Sequence, residues 1–120
     1  MYTIKKFLKN MVSTDSSFKE KREQMVKTQL IARDIVDKEV LRAMAEVPRH
    51  EFLPADLWDR AYDDRPLPIE ENQTISQPYI VAYMIQALSI KKGDRILEVG
   101  TGSGYQTALL AEIHEKVYTV

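Results

Sequence analysis

The sequence has 120 residues, with 17 Lys+Arg against 18 Asp+Glu for a formal charge of −1, so its length suits one domain and its overall charge gives no reason to bind nucleic acid. At 44% hydrophobic and 29% charged it can bury a core, and without cysteine it has no disulfide, thiol nucleophile or thiolate metal site. His50 and His114 are too few and too isolated to build a zinc centre, and a reducing, cytoplasmic setting fits this composition.

Residues 1–30 carry seven basic side chains (Lys5, Lys6, Lys9, Lys19, Lys21, Arg22, Lys27) against three acids (Asp15, Glu20, Glu23). Lys5, Lys6, Lys9 and Asn10 interrupt Ile4 to Val12, so no secretory signal is expected there. The uncharged run from Asn72 to Ile90 is too polar to span a bilayer, and no membrane partner is expected. Residues 1–17, ending in a Ser/Thr-rich cluster, read as a leader outside the core, and 18–120 as one unit.

The spacing of Phe18, Met25, Val26, Gln29 and Leu30 predicts a charged amphipathic helix to Arg33. Asp37 is placed to cap a second helix, whose Val40, Leu41, Met44 and Val47 share a face and which Pro48 ends. A third, short helix is expected from Pro54 to Tyr62 with Leu57, Trp58 and Ala61 inward, then an extended Arg65-Pro66-Leu67-Pro68. Ser76 before Gln77-Pro78 predicts a helix start capped by the serine hydroxyl, with Val81, Met84, Ile85 and Leu88 as the buried stripe. Together, 18–92 form a helical cap. His50 reads as a structural turn or surface residue, and Phe52, Trp58 and Tyr62 as core.

From 93 to 120 the pattern changes. Lys92-Gly93-Asp94 breaks the helix, Arg95 to Val99 reads as a strand, and Gly100-Thr101-Gly102-Ser103-Gly104 as a loop opening a helix with Thr107, Ala108, Leu110, Ala111 and Ile113 inward. Val117 to Val120 begins a second strand. The order is β–α–β, the start of a parallel α/β sheet whose faces two strands and one helix cannot cover.

A strand, glycine loop and helix start form a nucleotide-cofactor signature, because glycines permit positive φ and the helix N-terminus offers N–H donors. Tyr105 stands where a dinucleotide fingerprint needs a small residue, and the Gly-Lys-Ser/Thr of a phosphate loop is missing. Glu98, two residues before Gly100, would repel a pyrophosphate but suits a cofactor with an amino group and a sulfonium, which points to S-adenosylmethionine. The alternative for Glu98 is a solvated strand end.

Glu98-x-Gly100-x-Gly102-x-Gly104 resembles the first motif of class I methyltransferases. Together with Val47-Pro48-Arg49-His50-Glu51-Phe52-Leu53-Pro54, Ala61-Tyr62-Asp63-Asp64, Pro66-Leu67-Pro68-Ile69 and Gln73-Thr74-Ile75-Ser76-Gln77-Pro78, the chain from about Arg22 to Val120 resembles the protein-L-isoaspartate O-methyltransferases. The resemblance implies a Rossmann-like methyltransferase fold and methyl transfer from S-adenosylmethionine to the α-carboxylate of L-isoaspartyl residues in damaged proteins and peptides. Ser76 corresponds to the family's active-site serine, with Thr74 and Ile75 beside it in the cofactor pocket. Glu98, Gly100, Thr101, Gly102, Ser103 and Gly104 correspond to its cofactor loop.

Family members usually carry glycines where Glu70-Glu71-Asn72 stand here; Asn72 suits a left-handed turn, and Glu70 would not if positive φ fell on it. They also continue for nearly as many residues again, which implies a sheet represented by its first β–α–β unit, with weak cofactor binding and little or no activity expected of these residues alone. Two alternatives stand beside the repair enzyme: an inactive fragment of it, or another class I methyltransferase.

Overall fold

The computed structural model describes residues 16–120. The expected leader lies outside the described residues except for Ser16 and Ser17, which open α1 (Ser16–Met25), so this helix starts two residues earlier than the spacing suggested. Its continuation, Val26–Ile31, is a π-helical segment, not the last turns of one α-helix. The wider turn aligns residues five apart, which puts Met25 and Leu30 on one buried face.

Asp37 caps α2 (Lys38–Glu46) as its sequence predicts, its carboxylate accepting from the amides of Glu39 at 2.9 Å and Val40 at 3.2 Å. Val40, Ala43, Met44 and Val47 are buried, and α2 packs against both helices that follow. Two 3₁₀ helices come next, Arg49–Phe52 and Ala55–Arg60, with Pro54 flanking the second one residue before its start. His50 is no surface residue: it is fully buried, its ring stacked 4.1 Å from that of Phe18 and its Nδ1 2.9 Å from the Tyr62 hydroxyl. Arg22 donates to the same hydroxyl and to the carbonyl of Ala45, so α1 is tied to the cap through polar groups as well as by packing.

The extended Leu67–Pro68 (β1) pairs antiparallel with Thr74–Ile75 (β2), Leu67 opposite Ile75 and Pro68 opposite Thr74. The turn between them places positive φ on Glu71 (59°) and Asn72 (56°), so the strained position is Glu71, while Glu70 is spared. Helix α3 (Pro78–Ala87) follows, with Gln77 as its N-cap and Pro78 in its first turn. Ser76 therefore stands one residue too early to cap it, and no side chain does. Val81 and Ile85 are buried as expected, but Met84 and Leu88 are exposed; Pro78 and Ala82 complete the buried stripe instead, which rotates the apolar face.

Strand β3 (Ile96–Glu98) and β4 (Val117–Thr119) pair in parallel, Ile96 opposite Val117 and Glu98 opposite Thr119, with α4 (Tyr105–Ile113) between them in the chain. Ile96 and Val117 pack on the core, whereas Leu97 (64% exposed), Val99, Tyr118 and Val120 face outward. Helix α4 buries Tyr105, Thr107, Ala108, Leu109 and Leu110, and Arg42 of α2 donates to the Glu112 carboxylate at 3.1 Å and its carbonyl at 2.9 Å. Cap and β–α–β unit thus share one core. No helix among the described residues is long and apolar enough to cross a membrane.

Two measurements test this packing. Glu71→Gly should remove a left-handed non-glycine residue and raise stability by about 1 kcal/mol in urea titrations, an expectation that an unchanged or lowered midpoint overturns. Burial pushes the Tyr105 hydroxyl up to about 12 from 10.0. A raised folded-state pKa means that this contribution is complete below pH 10 and is lost as pH rises toward 12, on the order of 2–3 kcal/mol. Alkaline unfolding of Tyr105→Phe should therefore lack that loss, leaving a residual slope to which Tyr62, raised by burial, and Tyr79, raised by its hydrogen bond to Asp34, both contribute.

Candidate functional site

The glycine loop is built by the residues around it. Gly100, Gly102 and Gly104 have φ of 90°, 54° and 86°, and no heavy atom lies within 4 Å of a Cβ added at Gly100 or Gly102. Backbone conformation, not space, thus demands glycine there. Gly104 is the left-handed residue from which α4 starts, and the Ser103 hydroxyl accepts from the Tyr105 amide at 3.2 Å. The loop is anchored at its other end by the Gly100 amide, which donates to the Val120 carbonyl at 2.8 Å.

Glu98 is 6% exposed, so it is not a solvated strand end. Its Oε1 accepts from the hydroxyls of Thr107 and, at 2.8 Å, Thr119, and its Oε2 accepts from the Gln106 amide at 3.1 Å. One carboxylate thereby joins β3, the first turns of α4 and β4. Thr101 reaches the same point, its hydroxyl 2.7 Å from that of Thr119.

Thr74, Ile75, Ser76, Glu98, Gly100, Thr101, Gly102 and Ser103 line one cavity of about 120 Å³, together with Val81, Tyr105 and Gln106. Of the residues singled out from sequence, only Gly104 is not in this lining, and it heads the helix behind it. The fold therefore brings together two motifs that lie more than twenty residues apart in the chain. Ser76 is exposed to the cavity, and its hydrogen bond to the protein runs through its carbonyl, which accepts from Arg49 Nη2 at 2.9 Å. Gly102 and Ser103 also form part of a second cavity of about 620 Å³, bounded by Glu51, Phe52, Leu53, Pro54, Ile69, Glu70, Glu71 and Gln73.

Sequence reasoning missed Gln106, Thr107 and Thr119 as parts of this site. Thr107 read as a packing residue, yet a hydroxyl on a buried helix face must find an acceptor, and the acid of the preceding strand was the available one. Among the described residues there is no cluster of His, Cys, Asp or Glu able to hold a metal ion.

The family model for protein-L-isoaspartate(D-aspartate) O-methyltransferase matches residues 20–120. The chain belongs to this family. Its relatives include the protein-L-isoaspartate O-methyltransferases of Opitutus terrae, 61% identical over 99 residues covering 82% of this chain and 42% of that protein, and of Synechococcus sp., 59% identical over 103 residues covering 86% and 42%. A solved Plasmodium falciparum structure, described as a protein-L-isoaspartate O-methyltransferase in complex with S-adenosyl-L-homocysteine, superposes with a TM-score of 0.67 at 28% identity, over 82% of this chain and 46% of that one. The chain spans about half the length of the curated relatives it matches.

If Glu98 organises the loop from within, Glu98→Ala should cost about 1–3 kcal/mol, because it strands the buried Thr107 hydroxyl and releases Thr119 and Gln106 from their shared acceptor. Glu98→Gln, which keeps an acceptor, should cost less. Urea midpoints for both variants read this directly, and a Glu98→Ala protein as stable as the parent would remove the carboxylate from its structural role.

Proposed function

We propose that this chain is the N-terminal portion of a single methyltransferase domain, with a helical cap over 18–92 and the start of the sheet over 93–120, and that it works in methyl transfer from S-adenosylmethionine to the α-carboxylate of L-isoaspartyl residues in damaged proteins and peptides. The observation that carries the reading is the single cavity lined by both Thr74-Ile75-Ser76 and the Glu98–Ser103 loop. The cytoplasmic location inferred from the sequence goes with it.

The cavity suits the cofactor's amino-acid end. Gly100 and Gly102 present backbone without Cβ atoms, and Glu98 Oε2, with one protein donor where Oε1 has two, keeps acceptor capacity for an ammonium group. Thr101, Ser103, Thr74 and Ile75 would hold the rest of that end. At about 120 Å³ the space is well below the roughly 300–1,000 Å³ of a complete ligand pocket. When bound, S-adenosylmethionine supplies an electrophilic methyl group on a sulfonium.

An isoaspartyl α-carboxylate is ionised at neutral pH, so the protein needs no general base. Its task is to align the carboxylate oxygen with the methyl group and to keep water out. Ser76 is the group we assign to orienting that carboxylate, since its hydroxyl is not consumed in capping α3. The larger adjoining cavity would receive the peptide around the damaged residue.

The outward face of Leu97, Val99, Tyr118 and Val120, with the small cavity volume, favours a second reading, in which this stretch alone binds product but does not turn over. Calorimetry with S-adenosylhomocysteine tests the cofactor site under both. The expected Kd is in the micromolar range, about −8 kcal/mol, weakened at least tenfold by Gly100→Val; absence of binding would refute the cofactor site in this chain. Radiolabel transfer to an isoaspartyl peptide, with the normal aspartyl peptide as control, then separates the readings. Equal labelling of the two peptides would point to another class of methyl acceptor.

A further inference from the structure

Among the described residues Arg49 is one of the largest side chains that are fully buried, and no carboxylate forms an ion pair with it. Burying an unpaired cation is costly, and a methionine or leucine could fill a core position without that cost. Desolvation lowers the guanidinium's pKa, but an arginine stays protonated at any physiological pH. The charge must therefore be held by what surrounds it.

Three contacts hold it. Nε donates to the Ala61 carbonyl at 2.6 Å, Nη2 donates to the Ser76 carbonyl at 2.9 Å, and the guanidinium lies 5.0 Å from the centre of the Tyr105 ring. Nη1 makes no hydrogen bond to the described residues. The three partners belong to three segments: the end of the second 3₁₀ helix, the exit of β2, and the first residue of α4 directly after Gly104. Ser76 and Tyr105 both line the 120 Å³ cavity, from its two separate motifs, while Arg49 is outside the lining.

We propose that Arg49 is a positioning residue for this cavity, fixing the separation between the Thr74–Ser76 segment and the start of α4 by gripping the Ser76 carbonyl and the Tyr105 ring with one planar group. The ligand's identity rests on the functional reading above; the geometry does not. Lysine cannot replace it, because a single ammonium cannot reach two carbonyls on separate segments and also approach the Tyr105 side chain with a planar, delocalised charge. The arrangement also explains why Ser76 is presented by its backbone, leaving its hydroxyl to the cavity.

The test compares Arg49→Lys with Leu30→Ala, a fully buried position outside the cavity lining that serves as a control for general destabilisation. In ¹H–¹⁵N spectra of the chain, Arg49→Lys should shift the amides of Thr74–Gln77 and of Gly102–Gln106 together, and calorimetry should show S-adenosylhomocysteine binding weakened about tenfold or more. Leu30→Ala should do neither at temperatures well below its melting point. Shifts confined to 49–62 with unchanged affinity, or an equal loss of affinity in Leu30→Ala, would overturn the proposal. Should the parent chain not bind S-adenosylhomocysteine, the cofactor reading fails and the amide pattern alone decides Arg49's role. If Arg49→Lys does not fold, Tyr105→Leu removes the ring beneath the guanidinium; it should then move the Thr74–Gln77 amides, and their failure to move rejects the coupling.

Discussion

The carboxylate of Glu98 is the constraint on which the β–α–β unit depends. Strand β3 delivers it into the interior, where a charge is tolerated only with donors around it, and Thr107, Thr119 and Gln106 provide them from α4 and β4. Once those three bonds form, the end of β3, the first turns of α4 and the end of β4 are fixed relative to one another. The five residues between Val99 and Tyr105 must then reverse the chain within a short span, and the loop does so through three positive-φ glycines. A glycine loop without this anchor would have many conformations and offer its amides in no fixed direction.

Local chemistry made much of this legible in advance. The Asp37 cap, the stop at Pro48, and the strand, glycine loop and helix after Gly93 each follow from residues adjacent in sequence, and the structure has them. What failed to show were features decided by distant partners. Two-residue strands such as Leu67–Pro68 and Thr74–Ile75 carry no periodicity of their own. A stripe through Met25 and Leu30 fits either an α-helix or a π segment until its packing partner is known. Ser76 reads as a cap because serine before Gln-Pro often is one; the helix starts one residue later, so its hydroxyl caps nothing.

The candidate site divides along the same line. Its residues were readable because motif positions carry their chemistry with them, but their convergence on one cavity is a property of the fold. The supporting groups were hidden for a physical reason. Arginine and histidine are ordinarily placed at the surface, and nothing local to Arg49 or His50 says that Ala61, Ser76, Tyr62 and Phe18 will enclose them.

Glu98 and Arg49 have the same kind of surroundings, with no hydrogen bond or ion pair between them. Each is a buried charge held by neutral donors or acceptors and not by an opposite charge, and each ties together segments that line the cavity: Glu98 from the sheet side, Arg49 from the cap side. Glu98 itself lines the cavity, whereas Arg49 lies outside the lining and contacts it through Ser76 and Tyr105. Helix α2 and its neighbours share a single apolar core with the β–α–β unit, so both buried charges are held within one packed body.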